Sequence, residues 1–290
     1  MKKIISLILA LTLMCGAMLT LASCNKNAKE KIIVDTNAFF APFEYYDGDK
    51  IVGVDVEIME KVGEKLGKEV VFENTEFSVI IDNVASGNLY DCGAAGITIT
   101  PERADKVNFS IPYYKSVQYV IFNKNAAPET KTVNGVEYVV WEALAGKKIG
   151  TQLDTTGWIY TDGEINAQES NDYGYNGVLY GTNTTHNGYD SAQLAADDIG
   201  NGVDYVIVDE LPAEFIVSKN ANLACVPLYY AGETDADDAP VIEEYAICVT
   251  KGNDELLKAI NEVLTELLKE DANGTSEIEK LVMKHMGMDK

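Results

Sequence analysis

The sequence predicts an α/β protein of two lobes, and three observations carry that prediction. A length of 290 residues exceeds what one compact core needs and suits two units of roughly 100 to 150 residues each. Short β-type runs alternate with amphipathic helical patterns, the signature of lobes built on largely parallel sheets. The composition, 47% hydrophobic and 24% charged with 16 tyrosines, supplies enough apolar material for packed cores.

Taken in order, KIIVDT (31 to 36) reads as a strand, VDVEIMEKVGEKLG (54 to 67) as an amphipathic helix and EVVFEN (69 to 74) as the next strand. FSVIIDNVASG forms a helix closed by Gly87, followed by a strand in LYDCGAAG. In GITITPER the alternation of Ile97 and Ile99 with Thr98 and Thr100 implies a strand end with one buried face, and Pro101 starts a helical turn that carries Arg103. A second series follows VQYVIF. It comprises GKKIGT (146 to 151), a helix opening near Thr156, a helix in SAQLAADDIGNG and the strand DYVIVDE. Residues 161 to 189, rich in Gly, Asn and Tyr, read as an elaborated surface segment of the second lobe, a structural loop being the plainer alternative. The chain returns through EYAICVTKG (244 to 252) and the helix DELLKAINEVLTELLKE. It ends on a helix whose Ser276 and Glu279 fit a capping box.

A formal net charge of −23 with no basic patch past residue 31 argues against nucleic acid, whose phosphates require clustered Lys and Arg. The first 24 residues have a basic start at Lys2 and Lys3, an apolar run from Ile4 to Ala22 and small residues before Cys24. That pattern is an export signal. Leu21-Ala22-Ser23-Cys24 further resembles the bacterial lipobox, which implies lipidation of Cys24 and an extracytoplasmic, membrane-anchored chain tethered by residues 24 to 30. Cys92, Cys225 and Cys248 lie in apolar runs and read as buried small hydrophobes, with a Cys225–Cys248 bridge left open. Two histidines far apart and no cysteine pair at ligand spacing give a metal site no support, and no cofactor is expected.

The strings APFEYY, IVGVDVEIMEKVGEKLG, AAGITITPERADKVNFSIPYYKS, TTG and VIVDE, in this order, resemble the extracytoplasmic solute-binding proteins that deliver amino acids to ABC importers. The resemblance implies the two-lobed periplasmic-binding-protein-like fold of type II, with two crossing hinge segments near Lys115-Ser116 and Glu243-Glu244. It places lobe 1 at 31–114 and 245–290 and lobe 2 at 118–242, after a signal peptide over 1–23. It further implies a monomer that is not an enzyme, partnered by ABC permease and ATPase subunits.

A free amino acid offers a carboxylate, an ammonium and a side chain, and each needs its own partner. Arg103, the one arginine in the chain beside 22 lysines, supplies the planar fork that grips a carboxylate through two parallel hydrogen bonds. The resemblance adds Thr98, the main chain of Gly96 and, from the other lobe, Thr156 to the carboxylate contacts. LDTTG sits at a strand-to-helix junction where free N–H groups favour an anion. The family pattern has glycine where this chain has Asp154. Asp209, at the carboxyl end of an apolar strand, is expected to meet the ammonium, with Asn37 as a neutral companion, and its alternative role is a helix N-cap. Phe40 and Phe77 match the family's aromatic walls around the ligand side chain. Two rival readings keep the fold. One is a sensor domain with the same site, and the other is a cyclohexadienyl or arogenate dehydratase-like enzyme using Glu44, Glu210 or His186 as its acid.

Overall fold

The computed structural model describes residues 30–166 and 177–288. The export signal, Cys24 and most of the proposed tether lie outside the described residues, as does part of the segment 161–189. No helix among the described residues is long and apolar enough to cross a membrane.

The chain begins with β1 (Lys31–Thr36) and a three-stranded ribbon of β2 (Phe39–Phe40), β3 (Glu44–Asp47) and β4 (Lys50–Val52). Helix α1 (Val54–Leu66) buries Val54, Ile58, Met59 and Val62 along one face. It stops at Gly67, whose left-handed φ of 67° closes the last turn. Then come β5 (Glu69–Asn74), α2 (Phe77–Ser86), β6 (Cys92–Gly93), α3 (Pro101–Lys106), β7 (Asn108–Phe109) and the ten-residue β8 (Tyr114–Asn123). The middle of the chain contributes β9 (Lys131–Val133), β10 (Val136–Val140), β11 (Lys148–Gln152), α4 (Thr156–Asn166), β12 (Thr185–Tyr189) and α5 (Ala192–Asp197). It continues through β13 (Tyr205–Asp209), α6 (Glu210–Lys219), β14 (Leu223–Tyr230) and β15 (Ala239–Pro240). The return runs through β16 (Ile242–Tyr245), β17 (Cys248–Val249), α7 (Asp254–Leu267) and α8 (Glu277–His285).

Two sheets organise the two lobes. The first has the order β5-β1-β6-β17-β7, and the second runs β12-β11-β13-β8-β14-β10-β9. Helices cover both, as apolar strands in parallel register require. The long β8 belongs to both stories. Its first half pairs antiparallel with β16, Ser116 facing Glu243 and Lys115 facing Glu244, while its second half pairs with β13 and β14. This register has a direct consequence. Gln118 stands opposite Asp209 on one edge of β8 and close to Glu243 on the other.

One reading of the sequence is corrected, and two points it left open are resolved. GITIT is an extended loop rather than a strand end. Only Thr98 makes a bridge, to Tyr245, and both Ile97 and Thr98 are buried. The loop bends around Gly96, so an alternating pattern here reflects two buried sides and not a sheet edge. The segment 161–189 is not wholly loop, because α4 continues to Asn166 and β12 pairs in parallel with β11 from Thr185 to Tyr189. Its polar composition hid these elements since β12 is an edge strand, with only one neighbour to satisfy. Finally, the three cysteines are free: Cys225 pairs in register with Ile121 on β8, whereas Cys248 faces Gly93 in the other sheet.

Candidate functional site

Arg103 reaches the site because α3 is capped tightly. Thr100 is its N-cap and accepts from the backbone N–H of Arg103, Pro101 occupies the first turn, and the six-residue helix turns the guanidinium inward. Arg103 is 8% exposed. Its Nη1 donates to the Thr98 carbonyl at 2.9 Å, and its Nη2 donates to the Asp154 carbonyl of the other lobe at 2.8 Å. The guanidinium lies over the Phe77 ring, 5.4 Å from its centre, an arrangement that lysine's point charge imitates poorly.

The departure at Asp154 has a backbone explanation. Asp154 takes a left-handed φ of 58°, the conformation that glycine adopts freely and aspartate tolerates better than most residues. The turn therefore survives the replacement, and its carbonyl is the one that receives Arg103. Thr155 caps α4, its hydroxyl accepting from the Trp158 N–H at 3.3 Å and donating to the Gln152 carbonyl at 2.8 Å.

Asp209 occupies the N-cap position of α6, yet its side chain makes no capping hydrogen bond. It accepts instead from Gln118 Nε2 at 2.5 Å. The same amide nitrogen donates to Glu243 Oε1 at 2.8 Å, so one glutamine sits between two buried carboxyl groups. Burial first, and then the charge of Glu243, push the Asp209 carboxyl well above the usual range. Glu243 Oε2 accepts from the hydroxyls of Thr98 at 2.6 Å and Thr156 at 2.7 Å, one residue from each lobe.

Asn37 accepts from Gln152 Nε2 at 2.9 Å and donates to the Thr75 carbonyl at 2.7 Å. Gly96 has a φ of 53°, and a Cβ there would come within 2.8 Å of the Phe40 ring, so glycine is needed for this approach. Its N–H is committed to Asp55 Oδ2 at 3.0 Å. Asp55 in turn accepts from Tyr113, and burial pushes its carboxyl up to about 6. Glu44, fully buried beside it, is pushed well above its ordinary range by burial and by the Asp55 charge.

All eight residues expected from the sequence, Asn37, Phe40, Phe77, Gly96, Thr98, Arg103, Thr156 and Asp209, line one cavity between the lobes. In this closed arrangement its volume is about 10 Å³, room for one water. A wider hollow of about 420 Å³ lies next to it, sharing Phe77 and Arg103 and edged by Asp82, Glu102, Lys106, Asp154 and Asp162. Gln152 and Thr155 also line the inner cavity, and sequence reasoning did not name them. It likewise missed Gln118 and Glu243, which hydrogen-bond the cavity residues Asp209, Thr98 and Thr156 from behind. The available signal was a polar residue inside each of the apolar runs YKSVQYVIF and VIEEYAICV.

The acids of the dehydratase reading lie elsewhere. Glu210 accepts from Tyr119 at 2.9 Å. His186 hydrogen-bonds Thr151 at 2.6 Å and packs on Trp158 at 4.0 Å, and burial lowers it to about 4. Neither these two nor Glu44 lines the cavity. No group of His, Cys, Asp and Glu among the described residues is arranged to hold a metal ion.

Two lobes joined by crossing strands, with a guanidinium and a carboxyl group facing one enclosed space, define a hinged binding protein. The chain belongs to the bacterial extracellular solute-binding proteins, family 3, whose family model matches residues 32–287. It is thus an extracellular solute-binding protein and not an enzyme. It is 28% identical to the arginine-binding extracellular protein ArtP of Bacillus subtilis over 262 residues, covering 90% of this chain and 88% of that protein. Identity to the L-cystine-binding protein TcyJ of Escherichia coli is 27% over 241 residues, 82% of this chain and 78% of TcyJ. Among solved structures, an ancestral arginine-binding protein bound to arginine aligns with a TM-score of 0.69 at 29% identity, covering 89% of this chain and 99% of that one. The AbpA substrate-binding protein of Streptococcus pneumoniae, bound to L-arginine, aligns with a TM-score of 0.68 at 26% identity, covering 89% and 95%.

Proposed function

We propose that this protein captures a free amino acid between its lobes and presents it to an ABC import permease, with L-arginine as the first candidate ligand. The observation that carries the reading is that Arg103 and Asp209 line the same enclosed cavity. A zwitterion needs a cation for its carboxylate and an anion for its ammonium, and these two residues supply them. Arg103 takes the carboxylate together with the N-terminal end of α4, where backbone N–H groups point outward. The hydroxyls of Thr98 and Thr156 and the backbone of Gly96 border the bound head group. Asp209 takes the ammonium, with Asn37 beside it, and Phe40 and Phe77 wall the aliphatic part. A positively charged side chain then runs toward the wider hollow, where Asp82, Glu102, Asp154 and Asp162 outnumber Arg103 and Lys106. Arginine binding by ArtP and by the aligned structures points the same way.

Entry requires the lobes to part, because the inner cavity holds little more than a water. The parting turns on the paired strands β8 and β16, and ligand contacts to both lobes favour closure by their differential affinity. By this reading Cys24 anchors the mature chain to the membrane through acyl groups, the protein acts as a monomer, and the cytoplasmic ATPases of the importer supply the energy. Lobe 1 comprises 31–114 and 245–290 and lobe 2 comprises 118–242.

A thermal-shift panel of the purified protein against the common amino acids and L-cystine tests the proposal. Ligand at 100 times its Kd adds about 2.7 kcal/mol, which raises the Tm by several degrees for a chain of this size. L-arginine is expected to give the largest shift. A panel in which no amino acid raises the Tm overturns the reading.

A further inference from the structure

The carboxylate of Glu243 has a place that no part of the amino-acid chemistry above requires. It sits on the crossing strand β16, 2% exposed, and collects hydrogen bonds from three directions. Thr98 Oγ1 and Thr156 Oγ1 both donate to its Oε2, at 2.6 and 2.7 Å, and Gln118 Nε2 donates to its Oε1 at 2.8 Å. A hydroxyl has one proton and two lone pairs. Once its proton is spent on Glu243, a threonine hydroxyl can only accept from whatever enters the cavity. Both threonines line that cavity. So does Asp209, which shares Gln118 with Glu243.

From this we infer that Glu243 is a positioning residue for ligand recognition, fixing the hydroxyls of Thr98 and Thr156 as acceptors so that, with Asp209, they hold the ligand's ammonium rather than its carboxylate. Three acceptors lining one cavity match the three N–H groups of an ammonium. The carboxylate is left to Arg103 and the backbone amide groups at the start of α4. Glu243 touches no ligand atom in this arrangement and acts through the two threonines. Its position on the hinge strand ties them together across the cleft, so the ammonium site is complete only when the lobes meet.

The inference rests on the amino-acid reading, and its test separates the two. Binding of L-arginine and of its α-desamino analogue, 5-guanidinopentanoate, is measured by calorimetry on the purified wild-type protein, on Glu243→Gln and on Thr156→Val. The analogue is titrated in competition with L-arginine at millimolar concentration. Glutamine at 243 can offer its own N–H to a threonine and release the hydroxyl proton toward the cavity. Glu243→Gln is therefore expected to weaken L-arginine by about tenfold or more, the size of an unsatisfied buried donor or acceptor. The analogue, which has no ammonium to lose, is expected to change by less than about threefold. Thr156→Val, which keeps the shape and removes one acceptor, is expected to repeat the asymmetry. A purely structural role would weaken both compounds alike, and equal weakening, or none for either compound, overturns the inference while leaving the amino-acid reading in place. Failure of the wild-type protein to bind L-arginine or any other amino acid overturns both.

Discussion

At the scale of single residues, the chemistry that could be named from the sequence was the chemistry that one side chain performs alone. Arg103 is the sole guanidinium, and a carboxylate clamp needs its fork; Asp209 ends an apolar strand, where ligands of α/β sheets gather. What stayed hidden depends on two residues meeting. Gln118 and Glu243 are 125 positions apart and become partners only through the register of β8. Asp154 shows the opposite case, visible as a departure in the sequence but explained only by its φ of 58°. Its carboxylate also edges the wider hollow. Asp154→Asn keeps the tolerated backbone and removes the charge, so it should weaken L-arginine by up to about 1 kcal/mol, as for a solvated ion pair, and leave L-glutamine unchanged in the same titration. Asp55, beneath Gly96, adds a pH dependence. Its folded carboxyl stands at about 6 against an ordinary 3.8, so the folded state holds the proton more tightly than the unfolded one. That advantage is complete below 3.8 and is lost as pH rises through the window to about 6, a loss on the order of 3 kcal/mol. Urea midpoints at pH 4 and pH 7 should therefore show a smaller pH effect in Asp55→Asn than in the wild type. An unchanged slope would remove Asp55 as its source.

Elements were legible where a periodic pattern ended in a strong cap. β1 and β5 run over the residues expected, and α1 ends at Gly67. The last helix shows the capping box that Ser276 and Glu279 foretold. Legibility failed where tertiary contacts override local pattern, as in GITIT, whose alternating residues are buried on both sides, and in the short ribbon β2–β4, which no period of two marks out. The caps of α3 and α8 make a matched pair of tests. Ser276→Ala should cost about 1 kcal/mol of stability with ligand affinity untouched, since α8 lies away from the cavity. Thr100→Ala should cost a similar amount and also weaken ligand binding, because Thr100 holds the turn that aims Arg103. Denaturant midpoints and calorimetry on both variants check the contrast, and equal affinity in the two would detach α3 from the site.

For the molecule as a whole, the two lobes could be foreseen from length and from the ordered strings of family resemblance, but their manner of meeting could not. The closed cleft is bridged by the residues proposed to bind the ligand. Arg103 reaches the Asp154 carbonyl, Gln152 reaches Asn37, and Thr156 reaches Glu243 on the crossing strand. Groups that would hold a ligand thus also hold the lobes, so binding and closure draw on the same hydrogen bonds. Arg103 joins both roles, and a lysine in its place keeps the charge but loses the second, parallel hydrogen bond. The most direct test is a calorimetric titration of the wild-type protein and Arg103→Lys with L-arginine. The wild type should bind one equivalent, and the variant should fold normally yet lose about 2 to 5 kcal/mol of binding. Unchanged affinity in the lysine variant would contradict the claim that Arg103 clamps the ligand's carboxylate between the lobes.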